Sequence, residues 1–537
     1  VNRFVTPQRH NLKNFSFLLL IIFIQGNISF LSGQYIRQEN FFSEKERRSK
    51  YALDDWISYL ESKQIVSMAV GSDYLYFATL DGGILRYELF QNYWDYPYTT
   101  SNGLPSNTVF KVAFDLNNSI LWAVTDVDTC IFRPAEQEWL CQSEGSFWPF
   151  EFPDQKIPEN SQTIEQNIFY PARYLNLLPH FFANGNYTVV SDWKVMDEYF
   201  DEYPITGFLR DRWERIWLVI QGLGVGIGNV FSGRMDVIPV GLTHISPRVI
   251  KYQNNDLWIG GEPLIGNGRP GIVHWQDSDG GWNFYQARWI SSLPSDKVRD
   301  IEVTGDSLWF ATELGLSLFN SRKNEWKNFD QRQGLYSREI LDLQEHNRVL
   351  YIATDKGINT LDLKSGIIKR IKDENIILAD VYQLAAQRDT LWAVTNRGIF
   401  RHRTDSFGWE EVITTTAISD IPVTAVQTYQ DEVWFCSPEG VFWYDGKSKQ
   451  WGSFPQLGME IEAPYFDIAV NNKSVWVSTR SGLLKYNREM HFWKIFTPDD
   501  GLLSIPCYRL LLDGDYLWIA NHFGITQFFW NNPQRID

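Results

Sequence analysis

The chain has 537 residues, with 49 Lys and Arg against 65 Asp and Glu, a net charge of −16. A field of that sign repels phosphate backbones and argues against a nucleic-acid partner. The 23 Trp, 25 Tyr and 36 Phe exclude a disordered chain, and four cysteines are too few for a disulfide scaffold.

Arg3, Arg9 and Lys13 precede an apolar run from Phe15 to Ile24, followed by small and polar residues through Gly33. That pattern predicts a secretory signal peptide over 1–33, since a membrane span needs about 20 apolar residues. No second apolar run of that quality follows, so the mature chain is expected in the periplasm or at the cell surface, without stable membrane insertion. Residues 34–53 read as a linker, and 54–537 as one repetitive β unit.

An apolar-aromatic strand ending in a small or hydroxyl residue then recurs. Its copies centre on Tyr76, Trp122, Trp217, Trp258, Trp309, Tyr351, Trp392, Trp434, Trp476 and Trp518. The steps between them are 46, 95, 41, 51, 42, 41, 42, 42 and 42 residues. An alternating strand precedes each aromatic one, for example Val298-Arg299-Asp300-Ile301-Glu302-Val303. A glycine follows and opens a third strand: Gly83, Gly271, Gly315, Gly357, Gly398, Gly440, Gly482 and Gly524. Eleven residues further on, a Trp begins a fourth strand in most copies, among them Trp94, Trp282, Trp326, Trp409, Trp451 and Trp493. Four short strands in about 42 residues, with period-2 alternation and turn residues between them, predict one blade of a β-propeller.

The fold class is therefore all-β: a propeller of four-stranded antiparallel blades with about ten repeats. The last repeat lacks its Trp-led strand, while Asp54-Asp55-Trp56-Ile57-Ser58-Tyr59 has that strand's pattern before the first full repeat. The N-terminal strand is thus expected to complete the last blade and close the ring, which removes an exposed sheet edge. The repeats read as one large ring, or as two rings of which the final seven motifs form one. The segment 142–203 breaks the pattern and reads as a degenerate blade or an insertion; its Phe147-Trp148-Pro149-Phe150, Phe169-Tyr170 and His180-Phe181-Phe182 do not follow the repeat.

The strings Asn102-Gly103-Leu104-Pro105-Ser106-Asn107-Thr108-Val109 and Ser292-Leu293-Pro294-Ser295-Asp296-Lys297-Val298, each leading into an aromatic strand, resemble the two-component-regulator propeller repeat. That resemblance implies a ligand-sensing propeller outside the inner membrane, often one for oligosaccharides. No kinase pattern follows the last blade here, and a stand-alone exported propeller of this kind also resembles the propeller component of the type IX secretion machinery.

Candidate functional residues lie on loops that a rigid propeller holds around its axis. Loops between blades present Asn107, Asp296, Arg338 and Asp380; loops between the second and third strands present Asp81, Asp126, Glu313, Asp355, Asn396, Arg480 and His522. Asn107, Asp296, Arg338, Asp355, Asn396, Arg480 and His522 are taken as binding candidates. Cys130 and Cys141 flank a short hairpin and are placed to form a disulfide. The eight His lack metal-ligand spacing, Asp277-Ser278-Asp279-Gly280 reads as a turn, and no nucleophile elbow is present, so neither metal, cofactor nor catalytic residues are expected. The expected function is non-enzymatic recognition of a glycan or an envelope protein. A structural scaffold in an envelope or secretion assembly is the alternative, with a polysaccharide lyase or hydrolase behind it. Oligomeric state is left open.

Overall fold

The computed structural model describes residues 36–37, 43–144, 168–190, 193–266, 268–276, 280–412, 423–438, 440–455 and 464–535. The expected signal peptide, Phe147-Trp148-Pro149-Phe150 and Asp277-Ser278-Asp279 lie outside these residues.

The repeat unit folds as a four-stranded antiparallel meander because each of its fixed residues does a separate job. The hydroxyl that ends the aromatic strand pins the turn to the third strand. Thr312 Oγ1 donates to the Gly315 carbonyl at 2.7 Å and accepts from the Leu314 N–H at 3.2 Å. Thr79, Thr354, Thr395 and Thr479 repeat the bond to Gly83, Gly357, Gly398 and Gly482. The glycine is required by close approach: at Gly482 the φ is +148°, and a Cβ would sit 2.4 Å from the Phe496 carbonyl of the fourth strand. The strand aromatics fill the space between sheets; Trp258, Trp392, Trp476 and Trp518 are all fully buried. The chain is a β-propeller.

Ten such meanders form among the described residues. Seven close on themselves: the blades at 245–285, 298–329, 340–370, 381–411, 425–455, 465–496 and 507–529. Seven apolar clusters, each shared by two neighbouring blades, run round this ring. The seventh packs Ile250, Leu257 and Ile259 of the first blade on Trp518, Ala520 and Ile525 of the last. The fourth strand of that last blade is N-terminal, as expected. Trp56–Leu60 pairs antiparallel with Gly524–Phe529, and Trp56 stacks on Phe528 at 3.7 Å.

The remaining three blades, at 65–98, 109–141 and 202–239, form an arc beside the ring. In space the third packs on the first through Leu209, Trp217, Met68 and Phe77, and the first on the second through Ile84, Tyr98, Val112 and Leu121. Among the described residues no apolar cluster joins the second to the third. The arc is thus an insertion between the ring's closing strand and its first blade. The final seven motifs form a ring, as the second reading expected, but the other three do not close into one, so the chain is neither one ring of about ten blades nor two rings. Within it, Cys130 and Cys141 are cross-strand partners and are bonded to one another. Residues 168–190 and 193–201 add short strands and a 3-10 turn to the third arc blade, not a further meander. Tyr170, Leu178 and Phe181 are buried there against Phe208, Leu218 and Met235. The stretch expected as a linker is partly folded against the ring: Ile36–Arg37 pairs parallel with the strand Phe492–Phe496, and Arg47 in the helix Glu44–Arg48 pairs with Asp499 and Asp500.

Candidate functional site

The ring and the arc are joined by two crossing segments that touch. The Leu60 carbonyl accepts from Leu242 N–H at 2.9 Å, where the chain leaves the ring and where it returns. Beyond Leu60 the chain stays extended, with Lys63 and Gln64 carbonyls accepting from Gly222 and Leu80 of the arc at 3.0 Å each. Side chains of an extended segment alternate. Glu61 and Lys63 therefore share a side and line a cavity of about 650 Å³ between the two units. Its arc wall carries Asp81, Asn107, Tyr203 and Gln221; its ring wall carries His244, Arg269, Ser504 and Phe523.

Most charges in this wall are matched locally. His244 Nδ1 meets Glu61 Oε2 at 2.7 Å, Arg269 meets Asp201 at 3.0 Å, and Glu202 meets Lys194 at 2.9 Å. Gly268 lies directly on the imidazole: a Cβ there would fall 2.1 Å from the ring, so only glycine allows this approach. Two groups stand apart. Lys63 is 7% exposed, lies over the Phe284 ring at 3.8 Å and has no carboxylate at ion-pair distance among the described residues. Burial pushes its amine down to about 8, with Glu61 offsetting part of the shift. Asp81 is pushed up to about 7, by burial first and by the Glu61 charge second. Asp81 Oδ1 and His244 Nε2 are buried without a hydrogen-bond partner.

A second polar cluster lies on the ring's inner strands, and its role is architectural. Five of these strands bulge ahead of one polar residue: Asp300, Asp342, Gln383, Asp467 and Arg509 follow the bulge in their blades. Asp300, Asp342, Gln383 and Asp467 each accept the backbone N–H of the next blade, from Leu343, Leu384, Val426 and Leu510 at 2.7–3.0 Å. Arg509 supplies the counter-charge, 3.1 Å from Asp300 and 3.8 Å from both Asp342 and Asp467. Burial works against its charge, but the three carboxylates outweigh it and hold the guanidinium above its ordinary range. Burial and Asp300 hold Asp342 well above the usual carboxylate range, with Arg509 opposing.

Of the residues proposed from sequence, Asn107 lines the cavity, although its side chain is tied to Thr100 at 2.8 and 3.2 Å. Asp296 caps the Ala287 N–H at 2.7 Å, and Asn396 bonds Asp380 at 3.1 and 3.2 Å. Asp355 keeps a buried Oδ1 without a partner, while Arg338 and Arg480 are exposed. His522 sits beside the cavity residue Phe523 and meets Ser246 Oγ at 3.3 Å. Asp296, Arg338, Asp355, Asn396, Arg480 and His522 are spread over five blades of the ring, and no two of them bond one another. Sequence reasoning missed Glu61, Lys63, His244 and Arg269. The first two and His244 lie in the crossing segments, and Arg269 in a loop of the first ring blade, all outside the repeat's register. The one signal for them is the alternation of charge at Glu61 and Lys63 directly after the closing strand.

No family model matches the chain, and no curated protein matches it. Solved structures do. The extracellular domain of BT4673 from B. thetaiotaomicron, described as a hybrid two-component system, is 13% identical with a TM-score of 0.45, covering 86% of this chain and 70% of that one. The corresponding domain of BT3049 is 14% identical with a TM-score of 0.43, covering 88% and 83%. YCF48 from Cyanidioschyzon merolae is 12% identical with a TM-score of 0.43, covering 56% and 98%. The first two are extracellular domains of proteins described as hybrid two-component systems.

Proposed function

We propose that this chain is an exported, non-enzymatic propeller that receives a glycan in the cavity between ring and arc, as a sensor or receptor domain does. The observation that carries the reading is the cavity itself: about 650 Å³, walled by both units and lined by a few convergent polar groups, the ordinary form of a small-molecule site. Its chemistry suits a sugar, which has hydroxyl edges and an apolar face. Phe523, 55% exposed at the wall, offers a flat ring for that face, and Gln221, Ser504 and Asp81 offer groups for the edges. Binding without turnover is favoured because Glu61 and Glu202 are held by His244 and Lys194, which leaves Asp81 without a second free acid among the described residues of the cavity for the paired-carboxylate chemistry of glycoside hydrolysis.

The test is a glycan array probed with the chain from residue 34 onward, alongside Gln221→Trp, which fills the cavity. At least one glycan class should bind the native chain and be lost in the variant. A blank array, with an envelope protein co-purifying instead, contradicts the glycan reading in favour of a scaffold.

A further inference from the structure

The proposed site contains one cation, Lys63, that has no carboxylate at ion-pair distance among the described residues and feels Glu61 and Asp81 only from further away. Glu61, Arg269 and Glu202 each have a partner of opposite sign or an imidazole within 3.0 Å, whereas the Lys63 ammonium has an aromatic face and open cavity. Burying an ammonium without a carboxylate costs free energy, and a well-packed apolar side chain of similar volume would be cheaper to the fold. Phe284 recovers part of that cost through its ring face, but a cation–π contact leaves the donors of the ammonium unspent. Lys63 is also fixed in place: its carbonyl is bonded to Gly222, and the residues on either side are locked between ring and arc. It is a preorganised cation in an enclosed, partly apolar site.

Resting on the glycan reading of this cavity, we infer that the ligand is an acidic sugar whose carboxylate pairs with Lys63 and whose hydroxyls are received by Asp81 Oδ1 and His244 Nε2. Both atoms lie in the cavity wall and are buried without a hydrogen-bond partner, as are Ser504 Oγ and an Arg269 nitrogen that has only its ion pair with Asp201. A hydroxyl can both donate and accept, so a polyol meets either atom in any protonation state, whereas a simple anion can only accept. The amine, held near 8, keeps most of its charge at neutral pH, so the cation is present when the ligand arrives. Asp81, held near 7, is protonated part of the time under the same conditions, so it opposes an incoming carboxylate less than an ordinary aspartate would. The remaining charged groups facing Lys63 are Glu61, which meets His244 Nδ1 at 2.7 Å, and Arg269, which adds positive potential.

The experiment is titration calorimetry of the intact chain with matched oligosaccharide pairs that differ only in a carboxylate or a hydroxymethyl group on the sugar: galacturonate against galactose, glucuronate against glucose, mannuronate against mannose. At least one acidic member should bind ten-fold or more tightly than its neutral twin. Lys63→Met and Lys63→Gln should abolish that preference, so that acidic and neutral twins bind each variant with the same affinity. Lys63→Met should also melt no lower than the native chain, because it removes a buried charge that has no ion-pair partner among the described residues. A neutral sugar binding as tightly as its acidic twin overturns the inference while leaving the glycan reading intact. So does an acidic preference that survives both Lys63 variants. If no member of any pair binds, the glycan reading fails and this inference falls with it.

Discussion

The ring and the arc are built from the same 42-residue grammar, yet they are stabilised differently. Every ring blade has a neighbour on both faces, and the polar latch from Asp300 to Arg509 ties inner strand to inner strand. No ring blade has to expose an apolar face at an end of the series, because the series has no ends. The arc has ends. Its third blade is covered by residues 168–190 and 193–201, and among the described residues its inner strands carry one latch of the ring's kind, Ser67 Oγ accepting from Val112 N–H at 3.3 Å. Identical blades are therefore not equally independent: closure, rather than blade sequence, supplies autonomy.

That contrast can be broken in graded steps. The largest effect is expected on excising the arc: residues 61–241 expressed alone should lack a cooperative unfolding transition, as circular dichroism melting would show. Next comes the closing strand. Trp56→Ala removes the stack on Phe528 and a fully buried side chain, and should cost about 3–5 kcal/mol in denaturant unfolding, with the loss in the ring.

Arg509→Met should cost about 3 kcal/mol, since it strands three buried carboxylates without a counter-charge. Its pH dependence has a defined sign. Asp342 and Asp467 are raised above their unfolded values by burial, so between those values the folded state binds more protons than the unfolded one. Stability contributed by these two groups must rise as pH falls from neutral toward the ordinary carboxylate range. The rise should be steeper in Arg509→Met than in the native chain, which denaturation at about pH 7.5 and about pH 5 would read. The smallest effect sharpens the comparison. Thr312→Val in the ring and Thr79→Val in the arc each delete one turn-pinning hydroxyl and should cost about 1 kcal/mol. Hydrogen exchange should report the first across the ring and the second only in the arc.

The blade was legible in the sequence because each of its fixed residues has a local duty. The hydroxyl, the glycine and the aromatic all act within one meander or on the next, so their spacing is visible at a fixed offset. The closing strand at Trp56 was legible for the same reason. The division into ring and arc was not, because Trp122 and Trp258 occupy equivalent places in their blades whichever blade stands beside them. What decides it is which faces meet, and that depends on contacts such as Ile250 with Trp518, far apart in sequence. The irregular steps of 46 and 95 residues before Trp217, against the near-constant 42 after Trp309, were the trace of it. The site was the least legible part. Its key groups sit where ring and arc meet, and the loop residues that the repeat did suggest, such as Asp296 and Asn396, turned out to cap their own turns.

The most direct test of a closed ring carrying an inserted arc is to join Leu60 to Leu242 through a Gly-Gly link, which their hydrogen bond at 2.9 Å allows. Calorimetric melting of that arc-less chain should show one cooperative transition close to the ring's own in the native chain. A chain that is unfolded or aggregated without the arc would contradict the account.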